Sequence, residues 1–407
     1  MKKIKLGAML AAAVTAFSLI PCVPGRAAAP SVRCQMTPAW EMKAFAASSS
    51  PKAYTPAQMK KAYGIDSTVG TGKGKTIAIV VAYGSPSLKN DVAAFDKKFN
   101  LAGADLTVHD LGVTAANRDW AIETSLDAEW AHVMAPDAKL LVVEAASDNS
   151  TDLMNAVDYA SESGAQVVTM SWGDSEHAAL AMEDRHFTGS GVVYLAAAGD
   201  DGAQAVWPAS SPNVISVGGT TLKLDKSGNR LSESAWVNSG GGKSRIEAAP
   251  FWQTQMGIPS ATRSAPDVAF DADSATGVSM YCGGKWYDAG GTSLGAPSWA
   301  GIVVDLNQST SYLKNAGSLY VLAGSDSYRD PGNCFHDITT GSNGLPAAAG
   351  YDEVTGLGTP NCAELNRQTA ANASALSAVT DEKDSLMLTQ QITLRYSRSR
   401  YSGRHGR

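Results

Sequence analysis

Gly290-Gly291-Thr292-Ser293-Leu294-Gly295-Ala296-Pro297 is the stretch of this 407-residue chain that says most about its architecture. Paired glycines permit a tight turn at a strand end. Ser293 then opens a helix, with a proline one turn in. A hydroxyl at a helix N-terminus is well placed for nucleophilic attack, because nearby backbone N–H groups can stabilise an oxyanion. Taken alone, the octet is equally a glycine turn in which Ser293 merely caps a helix running on through Trp299. The residues upstream decide between the two.

Strand-like apolar runs at 76–82, 139–144, 166–171, 191–198 and 214–218 alternate with helix-like pieces at 87–99, 122–134, 152–163 and 178–188. Continuous β-rich runs separated by helices indicate an α/β fold, with a mainly parallel central sheet and helices on both faces. Order is expected to begin near Tyr54, with Thr55 as a helix N-cap and Pro56 in the first helical position.

The chain is 44% hydrophobic and 18% charged, which excludes a disordered polymer and allows a large core. Its net charge of −6 is unevenly spread: residues 1–28 carry +4 and residues 383–407 carry +5, leaving −15 on the body. An acidic body argues against a nucleic-acid partner. Acid would also relieve its self-repulsion.

A nucleophilic serine needs a base. None of the six histidines (His109, His132, His177, His186, His336 and His405) is followed by Gly-Thr near a helix, the context that a subtilisin's histidine requires. Ile122-Glu123-Thr124-Ser125-Leu126-Asp127 offers carboxylates instead. Glu123 and Asp127 are four apart on a predicted helix and project from one face. Like charges so placed are mildly destabilising on a surface helix, so by themselves they read as a solvated acidic face. Beside a serine, one carboxylate can hold and polarise the other while it accepts the serine proton.

Glu123-x-x-x-Asp127, then Ser171-Trp172-Gly173, then Ala198-Gly199-Asp200-Asp201-Gly202, then Gly-Thr-Ser resembles the motif order of the sedolisins, the serine-carboxyl peptidases of subtilisin-like fold. Trp207-Pro208-Ala209-Ser210, Val217-Gly218-Gly219-Thr220, Ser239-Gly240-Gly241-Gly242 and Ala265-Pro266-Asp267-Val268 extend the likeness over roughly residues 53–365. The resemblance implies Ser293 as nucleophile, Glu123 as general base, Asp127 as its support and Asp200 in the oxyanion role, with Asp201 as the rival for that role. A carboxylate base works at a pH where histidine is protonated, and an aspartic acid donates to an oxyanion only while it holds its proton. An acid-active endopeptidase that forms an acyl-enzyme and acts on protein or peptide substrates is expected. The alternatives are a subtilisin-like hydrolase with a histidine base, such as His132, and a catalytically silent exported binding protein on the same scaffold.

Phe335-His336-Asp337-Ile338-Thr339, Gly350-Tyr351-Asp352 and Thr355-Gly356-Leu357-Gly358 resemble the family's calcium loop. The resemblance implies one Ca2+ held by the carboxylates of Asp337 and Asp352 and the backbone carbonyls of Ile338, Ala348 and Gly350; oxygen ligands suit that hard cation. Ala348 replaces the family's usual glycine. Val81 stands where many members carry an acidic residue at the end of the first strand.

Lys2, Lys3 and Lys5 followed by an apolar run over 6–20 read as a secretory signal within residues 1–28. The expected product is an exported, secreted or periplasmic monomer with no stable membrane span after signal removal. Residues 29–52 read as a short linker or vestigial prosegment, in contrast to the family's long one. Residues 53–366 read as the peptidase domain with its C-terminal calcium loop, and 367–407 as a polar, basic tail. Beyond the signal lie Cys34, Cys282, Cys334 and Cys362. Two disulfides are expected, with the short loop from Cys334 to Cys362 favouring that pair and leaving Cys34 for Cys282.

Overall fold

Uninterrupted β-branched runs form the centre of the molecule, and the helices take their places from it. A computed structural model describes residues 53–65, 69–308, 313–324, 333–372 and 376, with the backbone alone of 33–34 and 44–45. The expected signal and most of the basic tail lie outside the described residues.

In chain order the strands and helices are β1 (Arg33–Cys34), β2 (Ala44–Phe45), α1 (Pro56–Ala62), β3 (Thr76–Ala82), α2 (Leu88–Phe99), β4 (Asp105–Asp110), α3 (Arg118–Met134), β5 (Lys139–Ala145) and α4 (Ser150–Glu162). Next come β6 (Val167–Met170), β7 (Trp172–Ser175), α5 (Ala178–Ala181), β8 (Val193–Ala197), β9 (Val206–Trp207), β10 (Val214–Leu224), β11 (Arg230–Ala235), β12 (Gly242–Ala248) and α6 (Phe251–Gln255). The remainder are β13 (Thr262–Ala265), β14 (Val268–Asp271), β15 (Val278–Cys282), β16 (Lys285–Ala289), α7 (Thr292–Leu306), α8 (Ala316–Ala323), β17 (Phe335–His336), β18 (Thr359–Pro360) and α9 (Cys362–Ala371).

The main sheet has eight strands in the order β11-β10-β8-β6-β3-β5-β4, with β14 also pairing β10. Every pair in it is parallel except β10 with β11. Six consecutive residues of β3 are buried, which requires cover on both faces. α7 is buried along its whole length and packs on α3, β6, β8 and β10, while α4 packs on β3 and β5. The α3–α7 crossing is close: a Cβ on Gly301 would lie 2.5 Å from Met134 Cβ. Two short pairings flank the sheet, β1 antiparallel on β7 and β2 antiparallel on β16.

Several expectations need correction. The helix expected over 178–188 stops at Ala181 and continues as a 3-10 turn, Met182–Phe187, which turns Asp184 inward to accept from Trp207 Nε1 (2.9 Å) and Ser211 Oγ (2.8 Å). The strand expected over 214–218 runs on to Leu224, because Gly218 and Gly219 are packing residues: Cβ atoms there would meet Pro266 Cγ at 2.6 Å and Ala272 Cβ at 2.7 Å. α9 carries the described body past residue 366 to Ala371.

Among the described residues no disulfide forms: Cys282, Cys334 and Cys362 are buried free thiols, and the side chain of Cys34, the expected partner of Cys282, lies outside the described residues. The backbone at the two C-terminal positions is adjacent, with Asn361 N–H donating to Cys334 O at 3.0 Å, yet the two thiols are not joined. Burial pushes the Cys334 thiol up to about 12, leaving it protonated and inert.

Acidic side chains in this core make stability depend on pH. Asp305 on α7 is raised by burial to about 8 despite Lys60 nearby. Unfolded, it would lose its proton near 3.8, so between those values the folded state holds the extra proton. The contribution is intact below about pH 4 and is lost as the pH climbs to about 8. Tm should therefore fall over that range, and Asp305→Asn should flatten the fall by gaining on the order of a few kcal/mol at the alkaline end and little at the acid end. Thermal melts of both proteins across the range measure this; parallel curves would disprove it.

Candidate active site

α3 begins a turn earlier than expected, because Asn117 caps it by accepting from the N–H groups of Asp119 (2.9 Å) and Trp120 (3.3 Å). From that start Glu123 and Asp127 lie on the side facing α7, and both are 0% exposed. Like carboxyls buried together cannot both hold a charge, and the groups around them decide the outcome. Glu123 is pushed well above the ordinary range, first by burial and then by the Asp127 charge, while Ser293 pulls it down. Asp127 is also raised by burial, against the lowering effects of Ser171 and Glu123. Neither Glu123 oxygen completes a hydrogen bond of full geometry, although Ser293 and Asp127 are near enough to act on it. Such contacts often tighten only when substrate arrives.

The turn before α7 places the serine. Gly291 takes φ 99°, and its N–H donates to Ala272 O at 2.6 Å. A Cβ on Gly290 would lie 2.5 Å from the same oxygen, so a larger residue would push the turn off the strand end. Thr292 then donates twice to Asp200 Oδ1, from its N–H and its hydroxyl, each at 2.8 Å, while its hydroxyl accepts from Gly199 N–H at 3.0 Å. Asp200 is thereby tied to the first turn of α7. Asp201 is exposed.

Asp200 and Ser171 both follow C-terminal ends of parallel strands, β8 and β6, where open α/β sheets place their sites. Ser171 Oγ donates to Asp127 Oδ1 at 2.7 Å and lies 3.4 Å from the Ser293 carbonyl oxygen. Sequence reasoning assigned no task to Ser171 or Thr292. Both stand inside motifs that it had singled out, and that was the available signal.

The structure thus brings Glu123, Asp127, Asp200 and Ser293 together. His132 is nine residues beyond Glu123, about 13 Å along the helix axis, and its Nε2 meets Ala102 O at 2.8 Å and Asp96 at 3.4 Å. Val81 is wholly buried and in register with Glu144, whose carboxylate accepts from Ser85 N–H at 2.8 Å.

The C-terminal loop gathers Asp337 and Asp352. Gly350 N–H faces both Asp337 oxygens at 3.2 and 3.1 Å, and Asp352 accepts from the N–H groups of Ala348, Val354 and Thr355 at 2.8–3.0 Å. Ile338 is buried behind them. Among the described residues no cluster of three or more His, Cys, Asp or Glu side chains is placed to hold a metal. Any cation here would depend on backbone carbonyls for most of its ligands.

Residues 112–322 match the Subtilase family. The chain is similar to kumamolisin of Bacillus sp. (strain MN-32), 32% identical across 82% of this chain and 66% of that protein. It is also similar to sedolisin of Pseudomonas sp. (strain 101), 27% identical across 80% of this chain and 63% of that protein. It therefore spans about two thirds of the length of these curated relatives. Pseudomonas sedolisin, a serine-carboxyl proteinase solved with two molecules of pseudo-iodotyrostatin, superposes with a TM-score of 0.72 at 28% identity, covering 79% of this chain and 99% of that one. Among the described residues no helix is long and apolar enough to cross a membrane. By these likenesses the chain belongs to the subtilase family and, within it, to the sedolisin type.

Proposed function

We propose that this protein is an exported, acid-active endopeptidase that cleaves protein or peptide substrates through an acyl-enzyme on Ser293. The observation that carries the reading is the wholly buried Glu123–Asp127 pair beside Ser293, with no cation among the described residues to neutralise it. Ser293 Oγ attacks the scissile carbonyl carbon while Glu123 takes its proton, and Asp127 orients Glu123 and shares the charge. Asp200, already engaged through Oδ1 with the N-terminus of α7, donates the proton on its other oxygen to the carbonyl oxygen as that becomes negative. Glu123 returns its proton to the departing amine. Water then repeats the sequence on the ester, leaving the carboxylic acid product and Ser293 restored. Export rests on the basic and apolar residues at the start of the chain.

One Ca2+ fits the C-terminal loop by the chemistry of its donors. Asp352 is buried, desolvation raises its carboxyl, and no Lys or Arg among the described residues pairs with it. Asp337 and Asp352 would hold the ion with the carbonyls of Ile338, Ala348 and Gly350. It would supply positive charge that neutralises these carboxylates and pins the loop.

Activity should need the carboxylate pair to hold no more than one proton and Asp200 to hold its own, which confines it to acid. On denatured protein across about pH 3 to 8, cleavage should peak in the acid range. Ser293→Ala should lose about a thousandfold or more in kcat, and Glu123→Gln about a hundredfold or more. A peak at neutrality, or cleavage retained by Glu123→Gln, would refute the base assignment; no cleavage at any pH would refute the peptidase. Excess chelator should lower the Tm by several degrees, and Asp352→Asn should abolish that response. An unchanged Tm in chelator would count against the ion.

A further inference from the structure

Ser171 is wholly buried between the two helices that carry the reacting groups, and it has an acceptor on each. On α3 its hydroxyl donates to Asp127 Oδ1 at 2.7 Å. On α7 the same oxygen lies 3.4 Å from the Ser293 carbonyl oxygen. The second contact has a cause in the sequence. In a regular helix the Ser293 carbonyl would accept the N–H of the fourth residue on, but that residue is Pro297 and has none. α7 therefore turns one carbonyl of its first turn toward the strand end at which Ser171 sits.

Deepening the peptidase reading above and resting on it, we propose that Ser171 is a positioning residue, a neutral hydroxyl that fixes the Asp127 carboxyl against Glu123 and ties that pair to the backbone of the nucleophile. A hydroxyl has one proton, and at 2.7 Å it goes to Asp127, so the Ser293 carbonyl is the weaker partner. Among the described residues no cation is placed to orient Asp127. Its other oxygen, Oδ2, completes no hydrogen bond of full geometry, so that besides Glu123 itself it is Ser171 that sets its plane.

The charged groups on neighbouring elements act elsewhere or only on Glu123. Asp200, after β8, acts on Glu123. Asp91 and Asp96 of α2 act on Glu129, a later residue of α3. His132, further along α3, meets Asp96, and Asp305 of α7 responds to Lys60 and Asp137. Glu144 of β5 is held by Ser85 N–H, and no charged group lies on β3.

The test compares Ser171→Ala and Ser171→Thr with the wild type. A hydroxyl donating to a carboxylate favours the ionised pair, so its loss should move the acid limb of kcat upward by roughly one pH unit. kcat should fall about tenfold to a hundredfold with KM little changed, and threonine should recover most of the loss. An unmoved acid limb in Ser171→Ala, or a loss of activity that merely follows a loss of folded protein in thermal melts, would overturn the proposal. A titration read by 13C NMR of labelled aspartate carboxyls, with the Asp127 signal assigned through Asp127→Asn, needs no turnover. Its midpoint should rise in Ser171→Ala even if the wild type cleaves nothing. No cleavage with a raised midpoint would sink the peptidase reading alone, whereas an unmoved midpoint would sink the role of Ser171 whatever the activity.

Discussion

Two carboxyl groups one helical turn apart are sealed in the protein interior with no cation among the described residues beside them, and the fold is arranged around that constraint. Taking an isolated carboxylate out of water is expensive, and a second one beside it raises the cost. Arg263 and Asp267 show the common solution nearby, a wholly buried ion pair at 2.5 Å. Glu123 and Asp127 are treated differently: serine hydroxyls stand where a guanidinium would, and burial raises both carboxyls. A pair so held keeps a proton at a pH where exposed carboxyls have lost theirs. It is therefore able to give and take protons, which an ion-paired carboxylate is not.

That arrangement needs scaffolding on three sides. The close crossing at Gly301 brings α3 against α7, so that both carboxyls face the helix of Ser293. The glycine turn before Thr292 seats the first turn of α7 on the strand end at Ala272, and Asp200 holds that turn through two donors of Thr292. The parallel strands β6 and β8 deliver Ser171 and Asp200 from their C-terminal ends. Residues far apart in the chain meet because the sheet order, not the chain order, sets who is adjacent.

Much of this was legible in the residues. Thr55 and Pro56 announce α1, and the full capping box with Gln58 is present. The apolar runs announce β3, β5, β6 and β8, because continuous burial leaves no polar alternation to confuse them. Asp200 and Asp201 are indistinguishable by composition, and only the fold shows which of them touches α7. The strand expected over 214–218 is too short because the crowding that demands glycine at 218 and 219 comes from Pro266 and Ala272, distant in sequence. The cysteines misled for a related reason: the spacing of Cys334 and Cys362 says nothing about which way their side chains face. Ser171 was overlooked because a serine is recognisable as a partner only once its acceptors are in view.

β7 also sets a direction. It leaves the site at Ser171, and the short strand β1 lies along it antiparallel, with Cys34 opposite Trp172 and Arg33 opposite Gly173. An extended chain in this register advances toward Ser171, and so toward Ser293, as its residue numbers rise. A chain laid the other way would meet a parallel ladder, with slanted bonds in place of perpendicular ones. The direction of β1 is thereby fixed by this four-residue strand: its amino-terminal residue lies farther from Ser171 and its carboxyl-terminal residue nearer to it.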